Sequence, residues 1–323
     1  MAQIIAQFQS IPLPQKSFKA QTVIITGSNT GLGFEAAKHI TRLEASRVIL
    51  AVRSPQKGDA AKSAIESATG RQGVVEVWPL EMDNFSSIKD FAVRCETLDR
   101  LDVVVANAGV LKTEFEESDG IEMTIKVNVI GTFLLAVSLF PIMRRSAERT
   151  AEIPRLVVTS SVRHKSAKFS ERNNSEIFKA LNSKASSNML DRYDTSKLLE
   201  LMLVASINEA MEKGPNAGKP IILNCVNPGL CKSELDRDVK GVFAAIYAVV
   251  KALLARTTEV GGRTLVHAAS SGEESRGKYL SECRVAKPGG LVQSKEEQAL
   301  SKRLHAELIA ILEQIQPGVT KNI

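Results

Sequence analysis

Tyr193-Asp194-Thr195-Ser196-Lys197 sets a phenol and an ammonium four positions apart, on one face of any helix that carries them. An unperturbed phenol titrates near pH ~10, and a neighbouring ammonium favours the phenolate and lowers that value. Such a phenol can give a proton to a ketone oxygen or take one from an alcohol. As a bare pair the spacing recurs by chance on protein surfaces, so its weight comes from position. It opens a helix that follows the apolar run 156–160, whose end carries Thr159-Ser160-Ser161. Ligands bind at the carboxyl ends of parallel strands. Ser160 and Ser161 therefore compete for the place beside Tyr193, with Ser161 preferred.

A second group of residues suits a pyrophosphate. Thr26-Gly27-Ser28-Asn29-Thr30-Gly31-Leu32-Gly33 directly follows an apolar run and opens a helical stretch. Its glycines permit positive φ and close backbone approach, and the helix N-terminus presents amides and a positive dipole end to an anion. Glycine at a strand-to-helix turn often serves shape alone; the strand-turn-helix context is what favours a dinucleotide. The next apolar run ends in Ala51-Val52-Arg53-Ser54-Pro55-Gln56-Lys57. An acid there would bond a ribose 2′-hydroxyl and repel a 2′-phosphate, whereas Arg53 suits the phosphate through charge-assisted bonds. Ser54 and Lys57 can add contacts. The bland alternative is a solvated arginine at a strand end; NADP(H) is favoured over NAD.

These groups need elements to hold them. β-Branched runs at 22–26, 47–52, 74–80, 102–106, 156–160 and 221–226 alternate with helical stretches at 31–43, 56–68, 86–98, 120–145 and 194–213. A helix about 258–269 and a short strand at 278–280 complete the series. Strands apolar throughout and separated by helices imply a parallel sheet covered on both faces. The expected fold is α/β, a doubly wound parallel sheet of Rossmann type with helices on both faces, in a single domain. That domain spans 21–290, after an N-terminal extension 1–20. Leu300, Leu304, Leu308, Ile311 and Leu312 recur at helical spacing and mark a C-terminal helical extension, 291–323.

Composition excludes several classes. The 323 residues carry 42 basic and 36 acidic side chains, a net charge of +6, with 44% hydrophobic and 5% aromatic residues. That suits a globular chain with a sizeable core. The basic residues are scattered, so no nucleic-acid partner is expected. Cys95, Cys225, Cys231 and Cys283 lack metal-ligand spacing, and His39, His164, His267 and His305 stand apart from one another and from acidic pairs, so no metal is expected. Residues 1–19 lack a secretory pattern, which with free thiols points to a cytoplasmic setting. No run of 18 apolar residues occurs; the stretch 242–255 reads as a buried or amphipathic helix, with membrane contact a minority option.

The motifs together resemble the short-chain dehydrogenase/reductase family, in particular its retinol-dehydrogenase-like and fungal oxidoreductase branch, over about 21–281. The resemblance implies a role for each match. The turn Gly27–Gly33 holds the cofactor. Asn107-Ala108-Gly109 steadies the sheet beside it, and Asn128, in Val127-Asn128-Val129-Ile130-Gly131, holds a water in a proton relay. Ser161 bonds the reacting oxygen and Tyr193 is the general acid/base. Lys197 contacts the nicotinamide ribose and lowers the tyrosine pKa. Asn227-Pro228-Gly229 lies along the nicotinamide, with Ser233 at a Ser/Thr position. The acid expected near the third strand's end is either Glu81 or Asp83, with Asp83 favoured for the adenine contact.

Two departures stand out. Ser161 and Tyr193 are farther apart than is usual in the family, so residues 162–192 must loop out near the pocket mouth, shaping it or decorating the surface. His164, just past Ser161, is placed to border the pocket. Together with the loop 230–257, the apolar run 242–247 suits a hydrophobic polyketide, terpenoid, steroid or retinoid-like substrate, although so apolar a helix is also an ordinary packing element. The implied activity is an NADP(H)-dependent oxidoreductase interconverting a carbonyl and an alcohol. A cofactor-binding non-redox enzyme, such as a cyclase, or a regulatory scaffold on the same fold is the alternative. The resemblance also implies a possible homodimer formed through the helices at 120–145 and 194–213.

Overall fold

The computed structural model describes residues 7–233, 235, 251–293 and 297–323. Its strands are β1 (Thr22–Thr26), β2 (Arg47–Val52), β3 (Val75–Pro79), β4 (Val103–Ala106), β5 (Arg155–Thr159), β6 (Ile222–Asn227), β7 (Tyr279–Ser281) and β8 (Arg284–Ala286). They form one sheet in the order β8-β7-β6-β5-β4-β1-β2-β3. Every pairing is parallel except β7 with β8. The short antiparallel β8 was not foreseen; with Arg284 and Val285 exposed, it lacks the apolar run that revealed the others. Strand order reverses between β1 and β4, the point at which doubly wound sheets open a crevice for ligands.

The helices are α1 (Gly31–Arg42), α2 (Pro55–Thr69), α3 (Phe85–Cys95), α4 (Met123–Thr150), α5 (Ile177–Leu181), α6 (Met189–Lys213), α7 (Thr258–Ser270) and α8 (Glu297–Ile315). Alternation along β1 divides them. Ile24 packs into one core with Phe91 of α3, Phe133 and Phe140 of α4, Leu198 and Met202 of α6 and Leu304 of α8. Val23 and Ile25 face the other core with Ile40 of α1, Ile65 of α2 and Leu265 of α7. Neighbouring side chains on a strand point to opposite faces, so a strand apolar throughout requires two helical layers.

Local chemistry sets the boundaries. Ser54 caps α2 by accepting from the Lys57 amide (3.4 Å), Pro55 opens it, and Gly70 closes it in the left-handed region (φ 68°). Asn84 caps α3 through the amides of Ser86 and Ser87 (3.0 and 3.2 Å). The helix expected from 120 begins at Met123, after a two-stranded turn pairing Glu117–Ser118 with Ile121–Glu122. α4 is apolar and long enough to cross a membrane, but 89% of its most apolar 18-residue window is buried in this fold, as a core helix requires. The helix carrying Tyr193 starts four residues earlier than that tyrosine, at Met189, rather than at 194.

The polar stretch 162–192 is not a free loop. Phe169, Ile177, Phe178 and Leu181 are buried in the core, and Glu307 of α8 caps α5 by accepting from the Ile177 and Phe178 amides, both at 2.9 Å. Asp191 accepts from the amides of Lys168 (3.0 Å) and Phe169 (2.9 Å). Buried Arg192 pairs with buried Glu171 at 3.0 Å. Sparse apolar residues at irregular spacing hid this packing from a periodicity reading.

Candidate active site

The residues of the glycine turn surround the carboxyl end of β1, at the strand-order reversal. Gly27 (φ 63°) donates its amide to Ala51 O of β2 at 2.9 Å, and a Cβ on it would lie 3.0 Å from Ala108 Cα. A Cβ on Gly33 would lie 2.6 Å from Asn107 Nδ2 and 2.8 Å from Gly27 O, so only glycine lets α1 approach. Gly31 (φ 63°) faces open space. Thr30 precedes α1 without capping it through its side chain, so the first amides of α1 remain for an anion. Ser28 turns inward, its hydroxyl donating to Ile25 O at 2.7 Å. Leu32 packs against Gly261 of α7, so its amide rather than its side chain is available to a ligand. Asn29 is half-buried in the turn.

Thr26 locks this turn to the end of β4. Its hydroxyl accepts from the amides of Asn107 (3.0 Å) and Ala108 (2.9 Å), while Asn107 Nδ2 donates to Thr26 O (3.0 Å) and Gly27 O (3.2 Å). Arg53 and Lys57 are exposed just beyond β2, and no hydrogen bond or ion pair engages the Arg53 side chain among the described residues. Asp83 is half-buried and Glu81 exposed beyond β3.

Four groups expected to act together meet where β4 and β5 end. Asn128 lies in a π-helical turn of α4, Lys126–Gly131, the kind of bulge often found at functional sites. Its Oδ1 accepts from Val110 N (2.9 Å), and its Nδ2 donates to Val110 O (2.9 Å) and Ser196 Oγ (3.0 Å). A Cβ on Gly109 would lie 3.2 Å from Asn128 Oδ1 and 3.8 Å from Lys197 Nζ. Lys197 Nζ sits 5.5 Å from the Tyr193 ring centre, and the Ser161 hydroxyl, which accepts from Arg163 N at 3.2 Å, stands close enough to the Tyr193 phenol to favour its ionised form. The Ser160 hydroxyl instead points inward and donates to Lys197 O at 3.1 Å, which leaves Ser161 facing the tyrosine.

One electrostatic expectation is overturned. Tyr193 is raised above the usual phenol value, by burial first and then by the Glu200 carboxylate, with the Ser161 hydrogen bond pulling the other way. Lys197 does not lower it because its charge is already paired: Nζ donates to Glu200 Oε1 at 2.7 Å and to Thr159 O at 2.9 Å.

The loop after β6 is held by Asn227, whose Oδ1 accepts from the amides of Val162 (3.0 Å) and Gly229 (3.1 Å) and whose Nδ2 donates to Ser281 Oγ (3.0 Å). Pro228 is buried, Gly229 has φ 79°, and the Ser233 amide donates to Cys231 O at 2.8 Å. Gln7, from the N-terminal extension, bridges this loop: it donates to Leu230 O (2.7 Å) and accepts from Leu230 N (3.0 Å). No sequence signal marked Gln7. His164 does not border the pocket; it is fully buried, its Nδ1 against Ser161 O (2.7 Å) and its Nε2 accepting from Gly289 N (3.2 Å). His39 pairs with Glu259 at 2.8 Å. Residues 234 and 236–250, with the apolar run 242–247 and most of the helix read at 242–255, lie outside the described residues.

Fold and site together define an oxidoreductase of the Rossmann type. The chain belongs to the short chain dehydrogenase family, whose family model matches residues 21–171. It is 43% identical over 321 residues to the short chain dehydrogenase/reductase dmxR8 of Cryptosporiopsis sp., covering 98% of this chain and 97% of that one. It is 45% identical over 278 residues to the short chain dehydrogenase atnD of Emericella nidulans, covering 85% and 88%. Among solved structures, the NADPH-bound carbonyl reductase from chicken fatty liver shares the fold, with a TM-score of 0.60 and 19% identity over 83% of this chain and 99% of that one.

Proposed function

We propose that this protein is an NADP(H)-dependent oxidoreductase that interconverts a carbonyl and an alcohol on a hydrophobic small molecule. The observation that carries the reading is the meeting of Ser161, Tyr193, Lys197 and Asn128 beside the open glycine turn. The uncapped start of α1 and the space over Gly31 fit a pyrophosphate, and the unengaged Arg53 fits a 2′-phosphate. The NADPH of the chicken reductase supports the same choice. Pro228, Gly229 and Ser233 would lie along the nicotinamide, with Asp83 toward the adenine. When bound, the nicotinamide supplies or accepts the hydride.

The remaining chemistry falls to the chain. Ser161 holds the substrate oxygen, Tyr193 gives it a proton in reduction or takes one in oxidation, and Lys197 holds the ribose. Asn128 holds a water that links Lys197 to solvent. The apolar composition of 242–247 supports a hydrophobic substrate, and four free cysteines support a reducing, cytoplasmic setting.

The test is turnover of model ketones with NADPH and with NADH. Wild type should prefer NADPH, and Arg53→Asp should shift that preference toward NADH. Tyr193→Phe should lower turnover by about 100-fold or more. Unchanged turnover in Tyr193→Phe, or a wild-type preference for NADH, would each remove the corresponding part of the reading.

A further inference from the structure

Glu200 is a carboxylate where the acid/base chemistry proposed above does not call for one. It lies one turn beyond Lys197 on α6, is 2% exposed, and places Oε1 2.7 Å from Lys197 Nζ. Its other oxygen, Oε2, is buried with no hydrogen-bond partner among the described residues. Burying a carboxylate with one oxygen unsatisfied is costly, so the position needs an explanation beyond packing. Lys197 offers one. Of its three ammonium protons, one goes to Thr159 O and one to Glu200. The third is left on the side of Gly109, where the glycine's missing side chain leaves room beside Nζ.

We propose that Glu200 is a positioning residue of this site: it anchors the Lys197 ammonium from beneath, aims its remaining proton toward the cofactor, and offsets its charge at Tyr193. This rests on the reading of Tyr193 and Lys197 given above. A neutral ion pair acts on the phenol as a dipole rather than a full charge, so the phenol loses the ammonium's pull toward its ionised form. That is the form a carbonyl reduction consumes. The carbonyl carbon takes the hydride, its oxygen takes the Tyr193 proton, and the phenolate left behind is reprotonated from solvent. Ionised Glu200 therefore raises the pH at which alcohol oxidation gains its phenolate.

The groups facing this pair are few. On α6 they are Lys197, Tyr193 and Asp194, the last ion-paired to Arg163 at 2.7 Å. From the end of β5 come the Ser160 and Ser161 hydroxyls, and from β6 the Cys225 thiol, which burial first and Glu200 second hold above its usual range. Burial lifts Glu200 itself to about 7 against the pull of Lys197 and, more weakly, of the Ser160 hydroxyl.

Glu200→Gln in the full chain keeps the shape and an acceptor for Lys197 but removes the charge. The acid limb of the pH profile for alcohol oxidation, set by Tyr193 ionisation, should move to lower pH by about one unit or more, as freeing the Lys197 charge 5.5 Å from the phenol ring predicts. Glu200→Asp keeps the charge and withdraws it from Nζ. Its acid limb should stay near that of wild type, while NADPH binding, read by the cofactor's fluorescence, should weaken about threefold to tenfold. An unmoved limb in Glu200→Gln, or equal movement in both variants, overturns the electrostatic role. Unchanged NADPH affinity in Glu200→Asp overturns the anchoring role, and this readout stands even if Glu200→Gln does not fold. Turnover surviving in Tyr193→Phe would instead sink the parent reading, while the NADPH titration would still report on Lys197.

Discussion

His164 shows how one buried side chain can hold the backbone of another residue, Ser161, in place. With Nδ1 donating to Ser161 O and Nε2 accepting from Gly289 N, the ring must be neutral, and burial lowers its pKa to about 4. The unfolded chain would protonate it near pH 6.5. The sign follows: this contribution to stability is full above about pH 6.5 and is lost as pH falls toward 4, about 3 kcal/mol in all. Glu200, raised to about 7, works in the opposite sense, because above pH ~4.5 the unfolded chain loses that proton first. The comparison that isolates His164 is therefore between wild type and His164→Gln. Denaturant unfolding from pH 7 to pH 5 should weaken wild type more than the variant; parallel curves would refute the assignment.

At the scale of elements, the site depends on the contact between α1 and the end of β4. Adding the Gly33 Cβ, 2.6 Å from Asn107 Nδ2 and 2.8 Å from Gly27 O, must push the helix from the turn or break the Asn107 bonds. Gly33→Ala should cost about 1–3 kcal/mol of stability and weaken NADPH binding well beyond any drop in melting temperature. A variant with wild-type cofactor affinity would show that the close approach is not required. The π-helical turn Lys126–Gly131 has the same character. Gly131 fits there because a Cβ would lie 2.5 Å from Met82 O, and the bulge presents Asn128 to Val110 and Ser196.

Across the whole molecule, the C-terminal segment covers the helices that the resemblance gave to a partner subunit. Leu300, Leu304, Leu308 and Leu312 of α8 are buried in the core that includes α4 and α6. His305 Nδ1 meets Ser206 Oγ of α6 at 3.2 Å, and Asn322 Nδ2 donates to Val137 O of α4 at 3.2 Å. Burying four leucines is worth up to about 1.5–3 kcal/mol each, comparable to the ~5–15 kcal/mol total stability of a typical protein. A chain ending at 293 should lose most of its thermal stability and self-associate through the bared face of α6. A monodisperse product with the wild-type melting temperature, by scanning calorimetry and sedimentation, would refute this.

The sequence by itself determined the layers of this protein and its glycine turn, and it named the groups proposed to react. Continuous apolar strands need two helical layers, and Tyr193, Lys197, Ser161 and Asn128 carry their chemistry in their residue types. What it left open were matters of direction and pairing across the chain. The inward turn of Ser160, the packed state of 162–192, the bridge from Gln7 and the neutral role of His164 depend on contacts between residues far apart in sequence. The same holds for Tyr193. Its spacing to Lys197 implied a lowered pKa, whereas the tertiary structure, by burying the phenol first and by setting Glu200 against that lysine second, raises it.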